Sequence, residues 1–161
     1  MNEPPAPFRS NTRSVQADWI DYNGHLNMAY YGVLFDTCGD DLYDVIGFGA
    51  TYAATSGHTT FSAEAHISYL RELHAGDHVY CDIYVVDFDD KRFHFFQELY
   101  HQDGWLSATA EVLGLHIDRS GPRVAPMPRH ILDALAGLRT AHAQLPRPAR
   151  IGRAISIRNK P

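Results

Sequence analysis

The feature that most constrains this chain is a change of period. From Asn27 the apolar residues Tyr31, Leu34, Phe35, Cys38, Leu42, Val45 and Ile46 recur three or four positions apart, which is the spacing of one helix face. Asn27 is a fitting cap for that helix and Gly47 a fitting stop. From Thr60 the repeat drops to two. Phe61, Ala63, Ala65, Ile67 and Tyr69 fall to one side, and Thr60, Ser62, Glu64, His66 and Ser68 to the other. A chain that writes one helix and then turns to strands must lay the helix on a sheet, because neither element buries its apolar face alone.

The punctuation fills in the rest. Gly76-Asp77 marks a turn, Val79 to Asp87 is rich in β-branched and aromatic residues, and Asp89-Asp90-Lys91 reads as a hairpin tip. Phe93 to His101 and Trp105 to Asp118 complete a meander through Asp103-Gly104. Upstream, Thr12 to Trp19 is expected as a first strand, and Ala50 to Gly57 as a loop of small residues. Ile131, Leu132, Leu135 and Leu138 predict a short helix over Ile131 to His142. The expected architecture is therefore α+β: a long central helix wrapped by an antiparallel sheet of about five strands, with a short C-terminal helix. Residues 1–10 read as a flexible leader, its prolines blocking regular structure, 11–143 as the domain, and 144–161 as a basic tail carrying Arg147, Arg150, Arg153, Arg158 and Lys160. That tail is expected to stay mobile or to dock on a partner subunit.

Composition excludes several classes. With 161 residues the chain suits one domain, and 14 Lys plus Arg against 19 Asp plus Glu, a net charge of -5, is the wrong sign for gripping a phosphate backbone. No nucleic-acid partner is expected. The two cysteines, Cys38 and Cys81, form no metal-binding or disulfide pattern. No stretch approaches the roughly 20 apolar residues of a membrane span, and Met1 to Ser10 lacks the regions of a secretory signal. The expectation is a cytoplasmic protein without a membrane partner. Apolar and aromatic residues on both sides of the strands, such as Phe93 and Phe95 against Phe96 and Tyr100, predict self-association to a dimer or tetramer.

The densest polar cluster is Asp21-Tyr22-Asn23-Gly24-His25-Leu26-Asn27, where a turn feeds the main helix. The first N–H groups of a helix are unpaired and sit at the positive end of its dipole, so they suit an oxyanion developing on a carbonyl. A carboxylate a few residues upstream suits attack on that carbonyl or removal of a proton from water. Turn residues before a helix have a plainer explanation as caps, and the cluster alone leaves both readings open.

The run from Asp18 to Tyr31, DWIDYNGHLNMAYY, resembles the signature of hot-dog thioesterases related to 4-hydroxybenzoyl-CoA thioesterase. Its Asp-x-Asn-x-His spacing is also similar to that of plant acyl-ACP thioesterases. The resemblance continues through Glu64-Ala-His66-Ile-Ser-Tyr69-Leu70, Gly76-Asp77, Lys91-Arg92-Phe-His94 and Ala108-Thr-Ala110-Glu111, covering Val15 to Asp118. It implies hydrolysis of an acyl-CoA thioester, with coenzyme A as part of the substrate and no separate cofactor. It makes Asp21 the nucleophile or general base and the N–H near Met28 the carbonyl polariser, with Asn23 and His25 positioning the reactants. The subgroup most similar in appearance is the betainyl-CoA thioesterases of carnitine breakdown, which share the Trp-Ile-Asp-Tyr-Asn-Gly-His run.

Further candidates surround this centre. Glu64 is expected near the helix start as a second carboxylate. Trp19, Tyr22, Tyr30 and Tyr31, with Asn27 beside them, are candidate substrate contacts and a possible cage for a quaternary ammonium head. Lys91 and Arg92, with Arg119 and Arg123, are candidates for coenzyme A phosphates. A metal is not expected: Gly76-Asp77 separates His74 from His78, and Arg92 stands where a calcium loop needs glycine. A hot-dog hydratase or dehydratase, or a non-catalytic acyl-CoA binding module, are the competing functions.

Overall fold

The computed structural model describes residues 4–157; Met1 to Glu3 of the expected leader, and Arg158 and Lys160 of the expected tail, lie outside the described residues. The predicted helix is α1, Met28–Ile46. Asn27 Oδ1 accepts the Ala29 N–H at 2.9 Å, and Gly47 closes the helix at φ 93°, where a side chain would be strained. Its buried face is Tyr31, Leu34, Phe35, Cys38, Leu42 and Ile46, while Val45, expected on that face, is exposed.

Strands β1 (Phe8–Arg9), β2 (Arg13–Ser14), β3 (His58–Tyr69), β4 (His78–Phe88), β5 (Arg92–His101), β6 (Leu106–Asp118) and β7 (Arg123–Val124) form one antiparallel sheet. The continuous path β1-β4-β5-β6-β3 has the expected five strands, and short pairings of β2 with β4 and β7 with β6 bring the total to seven. The inner face presents Val79, Cys81, Ile83, Val85, Phe95 and Leu99 to α1 in one core. Helix α3, Arg129–His142, adds Ile131, Leu135 and Leu138 to the same core.

Several expectations change. The first strand is only Arg13–Ser14, because the chain then turns through a 3-10 helix at Ala17–Trp19. The leader is not loose throughout. Phe8 is buried and pairs with Ile83, Ser10 Oγ accepts the Cys81 N–H at 2.9 Å, and Arg9 holds Asp82 at 2.8 Å, so this segment belongs to the sheet. The expected loop after α1 contains a short helix α2, Ala50–Thr55, whose Tyr52 hydroxyl lies 2.7 Å from His116 Nε2.

In β3 a bulge between Ser62 and Glu64 breaks the simple alternation. An extra residue in one strand shifts every side chain beyond it to the other face. Phe61, opposite Leu115, therefore shares the outer face with Glu64 and His66, opposite Leu113 and Glu111, while Ser62 joins Ala65 and Ile67 on the inner one. The tail does not wait for a partner either, since Gly152 donates its N–H to Glu111 Oε2 at 2.8 Å, on the outer face of its own sheet.

Candidate active site

The chain before α1 is a tight ribbon. Asn27 N–H donates to the Trp19 carbonyl at 2.9 Å, Ile20 bridges Leu26, and Asp21 N–H donates to the His25 carbonyl at 3.0 Å. Leu26 N–H, reaching the Leu73 carbonyl at 2.8 Å, ties the ribbon to the body. Asp21 thus stands at the tip, two residues from the Trp19–Asn27 rung, roughly 7 Å along an extended strand. Its carboxylate is half-buried. Oδ1 accepts the Asn23 N–H at 2.8 Å in an Asx turn, and Oδ2 has no partner among the described residues.

The other end of the ribbon leaves one donor unpaired. Asn27 serves Ala29 N–H through its side chain and Tyr30 N–H through its carbonyl, at 2.9 and 3.0 Å. Among the described residues, the Met28 N–H donates to nothing. Met28 is the first residue of α1, so this N–H carries the positive end of the helix dipole, and the 66% exposed Met28 leaves it accessible. Asn27 is thereby a helix cap and not an evident substrate contact. Tyr69, which the sequence placed only in a strand, donates its hydroxyl to the Met28 carbonyl at 3.4 Å and pins the first turn.

The remaining candidates divide. Asn23 is exposed beside Asp21, and His25 is half-buried, edge-on to His74 at 6.0 Å. Trp19 stacks on Tyr30 with centroids 5.4 Å apart. The four aromatic residues do not form a cage: Tyr22 is 98% exposed, while Tyr31 is 4% exposed and packs edge-on against Tyr69.

Glu64 is not at the helix start. It is exposed on the outer face and, with His66, His94 and Glu111, lines a cavity of about 540 Å³ there. Within it His94 Nε2 lies 2.7 Å from Glu111 Oε1. Lys91 and Arg92 sit at the β4–β5 hairpin. Phe93, next to them, packs against Tyr43 and Phe48 at the far end of α1, about 28 Å of helix from Met28. Arg92 Nε is engaged by Asp89 Oδ2 at 2.7 Å. A second, smaller cavity of about 130 Å³ lies between α1 and the inner face of the sheet. Asp21 lines neither cavity among the described residues. Among those residues, too, no helix is long and apolar enough to cross a membrane.

Known proteins agree with this arrangement. The model of the thioesterase-like superfamily matches residues 15–135. Betainyl-CoA thioesterase from Pseudomonas aeruginosa is 35% identical over 144 residues, covering 89% of this chain and 91% of that one. The L-carnitine dehydrogenase/betainyl-CoA thioesterase of Rhizobium meliloti is 34% identical over 91% of this chain, which spans 30% of that longer protein. Among solved structures, a Staphylococcus aureus protein in complex with CoA superposes with a TM-score of 0.87, at 26% identity over 98% of this chain and all of the other. A candidate thioesterase from Pseudomonas putida gives 0.83 at 32% identity, covering 97% and 99% of the two chains. With the motif, the fold and these relatives in agreement, the chain belongs to the thioesterase-like superfamily and is an acyl-CoA thioesterase of the hot-dog fold.

Proposed function

We propose that the chain hydrolyses a short acyl-CoA with a cationic acyl group, betainyl-CoA being the candidate its relatives supply, and that Asp21 and the Met28 N–H carry the reaction. The observation behind this reading is the pairing, on one short ribbon, of a carboxylate with a free oxygen and the single unpaired N–H of a helix start. In the reaction the thioester oxygen is held by the Met28 N–H, so negative charge developing on it meets a fixed dipole. Asp21 attacks the carbonyl carbon or takes a proton from the attacking water; either course releases the acid and the CoA thiol. Asn23 and His25, on the same turn, position the substrate.

Asp21 sits on an open ribbon and lines no cavity of its own chain, so a second copy of the chain is the natural wall for this site. Strand β3, at the end of the sheet path, offers its free backbone groups for that contact. We assign the protein to the cytoplasm, where acyl-CoA is made and used.

Thiol release from a panel of acyl-CoAs, including betainyl-CoA, tests the assignment. Turnover confined to short cationic acyl groups is the expected result, and a flat response across long fatty chains refutes the substrate. Single turnover in ¹⁸O-water separates the two courses, because only covalent attack places the label in Asp21.

A further inference from the structure

The small cavity between α1 and the sheet has an unusual lining. Gly32, Asp36, Gly39 and Tyr43 fall at successive turns of α1 and face Phe95 and Gln97 of β5. The glycines keep it open: a Cβ at Gly32 would meet nothing within 4 Å, and one at Gly39 would lie 3.9 Å from Gln97 Nε2. At about 130 Å³ it is well below the roughly 300–1,000 Å³ of sites for larger ligands, so it suits a compact head group. It begins at Gly32, about 6 Å along the helix from Met28.

Three independent features point to the charge of that head group. Gln97 is 6% exposed, and its Oε1 is the one buried side-chain polar atom without a hydrogen-bond partner among the described residues. A buried acceptor left unpaired is costly, and a cation or donor restores what it lost on leaving water. Asp36 belongs to a ridge with Asp40 and Asp44, at i and i+4 spacing, on a helix without a lysine or arginine. The neighbouring guanidinium, Arg13, is held by Asp41 at 2.9 Å. Burial first, and then Asp36 and Asp44, push the Asp40 carboxyl above its usual range. Finally, Tyr43 and Phe95 supply aromatic surface, which attracts cations.

We infer that this cavity is the acyl-head subsite and that Asp36 and Gln97 are specificity-determining residues selecting a compact cationic acyl group. The inference rests on the thioesterase reading. It moves recognition of the cation from the Trp19–Tyr22 surface to the inside of the fold.

The test compares betainyl-CoA with its neutral isostere 3,3-dimethylbutyryl-CoA, which differs only in carbon for nitrogen at the branched centre. Thiol release is followed for the wild type, Asp36→Asn and Gln97→Leu. Titration calorimetry with the two matching non-hydrolysable thioethers is run on the same proteins. Asp36→Asn is expected to lower kcat/KM for the cationic substrate about tenfold and leave the neutral one within about twofold. Gln97→Leu is expected to move the ratio in the same direction. An unchanged ratio in both variants overturns the inference. So does equal loss on both substrates in Asp36→Asn, which would make Asp36 a general catalytic carboxylate. Should no acyl-CoA release thiol, the thioesterase reading fails by itself, and the calorimetric ratio still decides the subsite.

Discussion

Asp21 and Asp89 occupy the same local structure and differ in what surrounds them. Both begin tight turns, and both accept a backbone N–H two residues on, from Asn23 at 2.8 Å and from Lys91 at 2.9 Å. Asp89 goes further. It also accepts the Arg92 N–H at 2.7 Å, and its second oxygen takes the Arg92 guanidinium. Arg92, followed by the Lys91 N–H, holds this carboxyl below the usual range. Asp21 keeps one oxygen free, and the structure beyond its turn is a helix start with an unpaired N–H. A satisfied aspartate is a structural part; one left half-satisfied beside a dipole is available for chemistry.

The sharpest way to break this comparison is Asp21→Asn, which keeps the Asx turn but removes the charge. We expect kcat/KM to fall roughly a thousandfold with little change in Tm; retention of turnover would place the reacting carboxylate elsewhere. Next is Met28→Pro. Proline suits the first helical position, and the extended Asn27, at φ -61° and ψ 139°, suits the residue before it. The substitution therefore deletes the unpaired N–H from an intact helix. A loss of about a hundredfold in kcat is expected, and unchanged kcat would remove the N–H from the mechanism.

Smaller effects sharpen the contrast. Asn27→Ala is expected to cost about 1 kcal/mol in urea unfolding through the lost cap, which separates capping from substrate contact if KM holds. Asp89→Asn is expected to leave turnover unchanged and to cost at most about 1 kcal/mol, because its pair with Arg92 is solvent-screened. Its pH dependence has a definite sign. Asp89 is depressed in the folded state, so its contribution is present above the unfolded value of about 3.8 and is lost as pH falls through the folded value. The gap between wild type and Asp89→Asn measured at pH 6 should therefore close at about pH 2 to 3.

Much of this was legible in the residues. The α1 boundaries follow from Asn27, Gly47 and the spacing between them, and strands β4 to β6 follow from alternation closed by turn chemistry. Asp21 was identifiable because a carboxylate, a glycine turn and a cap coincide within seven positions. What failed has a common cause. The bulge in β3, the strand at Phe8 and the helix at Ala50 all depend on partners distant in sequence, Leu113, Ile83 and His116 among them. Glu64 is the clearest case: alternation placed it with His66 correctly, but only the sheet decides that their shared face is turned away from α1.

By itself the sequence determined local geometry, because caps, turns and periodicity are set by a residue and its near neighbours. It therefore carried the helix, the meander and the Asp21 turn. The tertiary structure decided which polar groups remain without partners, since hydrogen-bond satisfaction is a property of the whole packed molecule. The unpaired Met28 N–H, the solvent-facing Tyr22 and the orphaned Gln97 acceptor emerge only when every other group has found its place.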